Sequence, residues 1–305
     1  MEWNRLEAFV AVARTGGFSA AARRLGRTQS AVSQAVLALE RELGQPLLLR
    51  SGRGARPTQA GTLLLEHAER AAAELSAATR RLEALRGIKG GRLVIGTSDT
   101  LAYYALPPAL AAFRARHPEV ELVLETRPSP ATALALAAHE VDIAVVTLPL
   151  PPRLRYHDAP LERLLAITPL RPQPDVLIVP PAHRLARRKR VPMRELSGEP
   201  LLLLGHASAG RVLLETELAR AGVKPRIAME MNSVELLKRL VELGFGLSVV
   251  PALAVEREVR QGVLSAVPLG PARRRQMGLL SDARGPASPA AAAFAELCQA
   301  ELGLA

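Results

Sequence analysis

Apolar residues recur at helical spacing from the start of the chain. Leu6, Phe9, Val10 and Ala13 predict a helix over 4–14, ended by Gly16-Gly17. Ser19 is placed to cap a second short helix, AAARRL, which Gly26 closes after Leu25. Thr28 caps a third, in which Ala31, Val32, Ala35, Val36 and Leu39 form the inward side. Three short helices within 44 residues, with a tight Gly-containing turn between the last two, make a helix-turn-helix pattern. Leu47 to Leu49 then read as a short extended run. Arg50, Arg53 and Arg56 follow, interleaved with Gly52 and Gly54, as in a hairpin wing.

A long helix begins after Thr58. Its apolar positions Leu64, Ala68, Ala71, Leu75, Ala78, Leu82 and Leu85 are spaced 4, 3, 4, 3, 4, 3, the seam of a coiled coil and hence of a dimer. Gly87, Gly90 and Gly91 end it in a hinge. Beyond, apolar strand-like runs alternate with helical ones: 93–95, 120–126 and 142–147, then after about 165 the runs DVLIVP, PLLLLG, RIAMEM and GLSVVP, with helices over 210–221 and 233–243. A late strand at 275–282 precedes a final helix around 290–302. Such alternation predicts a parallel sheet and two α/β subdomains.

The head of the third helix carries the first chemical signal. Within RTQSAVSQAVLALERELG, the residues Thr28, Gln29, Ser30, Ser33 and Gln34 are uncharged and able to hydrogen-bond, and Ser30, Ser33 and Gln34 share a face. The leading residues of a recognition helix meet base edges in the major groove. Amides and hydroxyls suit that task, since Gln pairs bidentately with adenine and Ser serves either base type. Capping alone needs only Thr28. The arginines of the wing suit phosphates or the minor groove.

Charge supports this picture. The net charge is +11 over 305 residues; residues 1–90 hold 14 Arg and Lys against 8 Glu, giving +6, and residues 91–305 hold 26 against 21, giving +5 over more than twice the length. A basic domain is the footprint of a phosphate-binding surface. HRLARRKR, 183–190, reads as a solvated loop instead. A single cysteine, Cys298, excludes an intrachain disulfide and a cysteine-built zinc site, and its apolar neighbours suggest packing. No apolar run reaches the roughly 18 residues that span a bilayer, and the amphipathic start is no signal peptide, so a cytoplasmic location without membrane association is expected. Phosphate-binding loops, His-Glu-x-x-His and Gly-x-Ser-x-Gly elbows are missing, and GFGLSVVP lacks the third glycine of a dinucleotide site. No cofactor, metal or catalytic residue is therefore expected.

The segment from FSAAARRLGRTQSAVSQ through the Arg-rich wing to PTQAG resembles the N-terminus of LysR-type transcriptional regulators, and the likeness continues to the C-terminus. Departures are mild: Thr28 stands for the usual Ser, Ser30 for Pro and Leu48 for Phe. The loss of Pro removes some preorganisation at the helix start. The resemblance implies an α/β protein with an N-terminal all-α winged helix-turn-helix domain (1–61), a linker helix for dimerisation (58–88) and an effector-binding domain (91–305). That domain would hold two Rossmann-like subdomains of periplasmic-binding-protein type, about 91–163 plus 268–305 and about 164–267, with a cleft between them. Double-stranded DNA bearing an interrupted inverted repeat, a small effector, tetramers formed through the ligand domains and RNA polymerase are the partners it suggests.

In the cleft, Ser98, Asp99 and Thr100 sit at a helix start, where hydroxyls and free amides favour an anion, although Asp99 opposes one. The family's next cleft position maps onto Ser129; Thr147 follows the third strand, and His206 and Ser208 follow LLLLG. With 3% aromatic residues, a small polar pocket is expected over an aromatic one. The alternative is an α/β enzyme or solute-binding module carrying an attached DNA-binding domain.

Overall fold

The computed structural model describes residues 1–51, 54–84, 90–206, 208–270 and 275–303. Two compact units divide the chain, Met1–Thr79 and Arg80–Ala305.

The first unit opens with α1 (Trp3–Thr15), α2 (Phe18–Leu25) and α3 (Gln29–Leu43). Each ends at a glycine in the left-handed region, Gly16, Gly26 and Gly44. Phe9, Val12, Val32, Val36 and Leu39 are fully buried where the three helices meet. The expected cap at Ser19 is not formed. Helix α2 starts two residues earlier, from an extended Gly17, because Phe18 belongs to the helix and packs against the core. Ala31 is exposed, since the buried positions Val32, Val36 and Leu39 are four and three apart and Ala31 falls off their line.

Strands β1 (Leu48–Ser51) and β2 (Gly54–Pro57) form the predicted hairpin, antiparallel, with Arg50 opposite Ala55 and Leu49 opposite Arg56. Glu40 anchors its entry by accepting the N–H groups of Leu47 at 2.8 Å and Leu48 at 3.1 Å. Ala55 N–H donates to Gly16 O at 2.8 Å, and any side chain on Gly54 would collide with that carbonyl. Thr58 accepts the Gly61 N–H at 2.9 Å and caps α4 (Gln59–Ala84). Leu64 and Ala68 pack into the core of this unit. Farther along, Leu75 is 56% and Leu82 66% exposed. Leu85 and Gly87 lie outside the described residues.

The second unit begins with β3 (Arg92–Thr97), α5 (Asp99–Tyr104), α6 (Pro107–Arg116), β4 (Glu121–Thr126), α7 (Ser129–Ala137) and β5 (Ile143–Leu148). A short ladder of β6 (Arg155–Tyr156) and β7 (Ala159–Pro160) leads through α8 (Leu161–Leu164) to β8 (Leu165–Pro172). Then come β9 (Asp175–Val179), β10 (Val191–Pro192), β11 (Pro200–Leu204), α9 (Ala209–Arg220), β12 (Arg226–Met231), α10 (Val234–Glu242) and β13 (Ser248–Pro251). Helix α11 (Glu256–Arg260), β14 (Ser265–Gly270), β15 (Gln276–Asp282) and α12 (Pro289–Leu302) complete it.

One sheet has the order β4-β3-β5-β15-β8, parallel through β4, β3 and β5 and antiparallel at β15. Helices α6 and α12 cover it, burying Phe113 against Phe294 and enclosing Cys298. The other sheet has the order β10-β14-β9-β13, and β11 pairs with β12 and joins it through a bridge between Leu201 and Leu247. The late strand and last helix thus return to the first subdomain, as the resemblance implied.

The subdomain boundaries expected near 164 and 268 shift. Strand β8 belongs to the first sheet, and β14 still belongs to the second, so the chain crosses at Gln173-Pro174 and returns by Arg275. Pro169, Arg171 and Pro172 hid β8 among loop signals; it is an edge strand, where proline is tolerated. In 183–190, the four residues Arg184–Arg187 form a 3-10 turn with Leu185 buried and Arg184 bonded to Glu199 at 2.7 Å.

Candidate nucleic-acid interface and ligand cleft

On the first unit, Thr28 accepts the Ala31 N–H at 3.2 Å and caps α3. Its hydroxyl also lies 3.1 Å from that of Ser30. Thr28, Gln29, Ser30 and Gln34 are exposed and Ser33 is half-buried. Burial of Val32, Val36 and Leu39 turns this uncharged face outward. Arg50 lies over the Phe18 ring, 4.6 Å from its centroid, and donates to the Ser33 hydroxyl at 3.3 Å. The hairpin therefore sets a guanidinium at the edge of the polar head. Arg56 is exposed on β2, and Arg53 lies outside the described residues.

On the second unit, a cleft of about 580 Å3 opens between the subdomains. Of the residues singled out in the sequence, Ser98, Asp99, Thr100, Ser129, Thr147 and Ser208 line it. His206 does not: its side chain turns to solvent, 3.9 Å from Glu230. Following a strand end was enough to bring Ser208 inward but not the residue two before it.

Three hydroxyls of the cleft already hold backbone amides. Ser98 accepts from Leu101 N–H at 3.4 Å, Ser129 from Thr147 N–H at 3.1 Å and Ser233 from Leu236 N–H at 3.3 Å. Helix α5 is only six residues long, so its dipole adds little to anion binding.

Sequence reasoning missed several lining groups. Two of the three tyrosines, Tyr103 and Tyr104, stand in the wall, where a small polar pocket was expected over an aromatic one. Arg127 pairs with Glu125 and Glu140, each at 2.6 Å. Arg211 is buried, binding Glu215 at 2.6 Å, Glu230 at 3.0 Å and Leu204 O at 2.9 Å. Burial works against its charge, but those carboxylates outweigh it and raise its pKa. Arg275 forms an ion pair with Asp175 on the floor, and Gln173 accepts from the Thr147 hydroxyl at 3.0 Å.

At the wall, Lys238 on α10 donates to Glu258 at 2.9 Å, to Ala254 O at 2.8 Å and to the Tyr104 hydroxyl at 2.9 Å; Glu235 lies 2.7 Å away. Burial pushes the Glu258 carboxyl up, but the Lys238 hydrogen bond and the neighbouring positive charges together hold it below the usual value. Cys298, buried behind the first sheet, has its thiol pushed up to about 12 by desolvation, which keeps it protonated and inert. Among the described residues, no helix is long and apolar enough to cross a membrane.

Comparison with known proteins matches residues 3–62 to the model described as bacterial regulatory helix-turn-helix protein, lysR family, and residues 86–303 to that described as LysR substrate binding domain. A probable RuBisCO transcriptional regulator of Trichormus variabilis is 32% identical over 297 residues, covering 96% of this chain and 86% of its own. An HTH-type transcriptional regulator of Xanthobacter flavus, CbbR, is 36% identical over 254 residues, covering 83% of this chain and 73% of its own. Among solved structures, full-length CbnR complexed with its target DNA shares the fold with a TM-score of 0.64 at 24% identity, over 99% of this chain and 100% of that one.

Proposed function

The chain belongs to the LysR family of DNA-binding transcriptional regulators with a ligand-binding domain, and we propose that it reads duplex DNA as a dimer under control of a small molecule in the cleft. The observation that carries this is the exposed, uncharged head of α3 with Arg50 at its edge and Arg56 exposed on the same hairpin. Gln29, Ser30, Ser33 and Gln34 read base edges, with Thr28 fixing the helix start; the arginines of the wing, including Arg53, hold phosphates. The solvent-facing Leu75 and Leu82 of α4 form the dimer seam. Two heads related by a two-fold axis select an interrupted inverted repeat.

The cleft is a sensor rather than an active site. The hydroxyls of Ser98, Ser129 and Ser233 are engaged by backbone amides, and the one thiol is buried elsewhere. Ser98, Asp99, Thr100, Ser129, Thr147 and Ser208 contact the effector. A ligand that prefers one closure of the cleft shifts the population of subdomain arrangements, and in the assembled dimer or tetramer this changes the spacing of the DNA-reading heads. The relatives named as probable RuBisCO transcriptional regulators support transcriptional control as its mode of action.

Selection of duplexes from a random pool by the full-length protein tests the reading. Recovery of an interrupted inverted repeat is expected, and single uncorrelated half-sites would count against it. Leu75→Glu should release monomers in sedimentation and abolish tight binding; an unchanged oligomer removes α4 as the seam.

A further inference from the structure

The cleft floor holds two buried hydrogen-bond donors without partners. Gln173 is 1% exposed, and its Oε1 accepts the Thr147 hydroxyl while its Nε2 bonds to nothing. Arg275 is buried as well; its Nη1 holds Asp175, yet its Nε has no acceptor. Both residues line the same cleft. They also occupy the two segments through which the chain passes between subdomains, tied together by the Gln173 N–H, which donates to Arg275 O at 2.8 Å. Buried donors are costly to leave unsatisfied and mark the place where an acceptor is missing.

A third observation points the same way. The N-terminus of the twelve-residue α9 faces the cleft with Ser208 and Gly210, and the Ser208 side chain makes no capping bond. The first-turn amides of a helix lack intrahelical acceptors and favour negative charge. Arg275 reaches this helix end: a Cβ on Gly210 would lie 3.4 Å from Nη1, an ordinary contact. The carboxylates already paired with Arg127, Arg211 and Arg275 mean that the ligand need not neutralise a cluster of cations. What the floor asks for is acceptor oxygens.

We propose that the effector carries an oxyanion, a carboxylate or phosphate group, whose oxygens accept from Gln173 Nε2 and Arg275 Nε at the N-terminus of α9. This rests on the reading of the cleft as the effector site. It adds that the ligand is sensed on the crossover segments themselves. An oxygen held there spans both segments, so occupancy acts directly on the joint about which the subdomains close.

The test uses the full-length protein, with inorganic phosphate and malonate as separate probes and glycerol as a neutral control, followed by thermal unfolding and calorimetry. Gln173→Glu keeps the acceptor for Thr147 but replaces the free donor by a carboxylate. Arg275→Lys keeps the charge facing Asp175 and removes Nε. In the wild type, one or both oxyanions should raise the melting temperature and glycerol should not; the stronger probe assigns phosphate or carboxylate. Each variant should weaken that probe about tenfold or more. Gln173→Glu should also melt no lower than the unliganded wild type, its carboxylate standing in for the ligand.

An equal rise in wild type and both variants is a general salt effect, or binding at the DNA-reading head, and overturns the proposal, as does the absence of any response. If Ser98→Ala with Thr100→Ala abolishes the response while Gln173→Glu and Arg275→Lys retain it, the cleft reading stands and the crossover site falls. A response that survives in all of these variants removes both.

Discussion

At the head of α3 and in the cleft, the same protein puts polar groups to opposite uses. The head presents Thr28, Gln29, Ser30 and Gln34 to solvent, and the exposed Arg56 of the hairpin forms no ion pair among the described residues. In the cleft, Arg275 meets one carboxylate, and Arg127, Arg211 and Lys238 each meet two. A duplex brings its own charges to an exposed surface, so groups there can wait in water at little cost. A partly buried cleft must balance a cation before any ligand arrives, because an isolated buried charge is strongly penalised. Charge at the head is thus left open to a partner, whereas most of the charge in the cleft is already balanced within its own subdomain.

Removing one cation on each side measures the difference most directly. Lys238→Met leaves the Glu258 carboxylate buried without its cation and should cost about 3–5 kcal/mol in urea unfolding. Arg56→Ala should stay within about 0.5 kcal/mol. Equal costs would erase the distinction. Acid adds a signature with a definite sign. In the wild type the Glu258 pKa is lowered, so the stability it contributes is present at neutral pH and is lost as pH falls below the ordinary carboxylate value, about 4.3. Without Lys238, burial is opposed only by a backbone hydrogen bond and Arg257, so the Glu258 pKa moves up relative to the wild type and protonation brings more relief. The gap between variant and wild type should accordingly narrow toward acid pH; a gap that widens would mean Lys238 stabilises through packing.

The two regions also differed in how far they could be read from the sequence. Everything in the head lies within 30 residues, and helical periodicity alone turned Gln29 and Ser33 away from Val32 and Val36. The cleft draws on segments far apart: Arg275 meets Asp175 across 100 residues and Lys238 meets Tyr104 across 134. No local spacing encodes such pairs. Loop ends after strands identified Ser98, Ser129, Thr147 and Ser208, since the ends of parallel strands are a property of topology. The same rule admitted His206 wrongly, because it places a residue near the cleft without aiming its side chain. Gln173 carried one faint signal, a lone amide between Pro172 and Pro174 where one strand pattern stopped and another began. Reading β8 as loop concealed it.

Within the head, specificity and affinity should separate. Gln29→Ala should cost about 1–3 kcal/mol on the preferred duplex and relax the preference at one base pair. Arg56→Ala should weaken preferred and random duplexes alike and reduce the salt slope by about one. Fluorescence anisotropy over a salt series distinguishes the two. If Gln29→Ala lowered binding to both duplexes equally, the polar head would position the protein without reading sequence.

The smallest effect concerns the bond across the cleft. Tyr104 lies on α5 of the first subdomain and Lys238 on α10 of the second; the phenol accepts from the ammonium at 2.9 Å, and the ammonium lies 5.0 Å from the ring centroid. Tyr104→Phe keeps the ring and removes only the acceptor. Lys238 retains Ala254 O and two carboxylates, so the cost should be about 1 kcal/mol, that of one hydrogen bond. A double-mutant cycle isolates it. Once Lys238→Met has removed the donor, adding Tyr104→Phe should cost nothing further, and the cycle should return a coupling of the same size. Additive losses would show that the phenol stabilises its own subdomain alone, leaving the crossover segments to set the closure of the cleft without this contact.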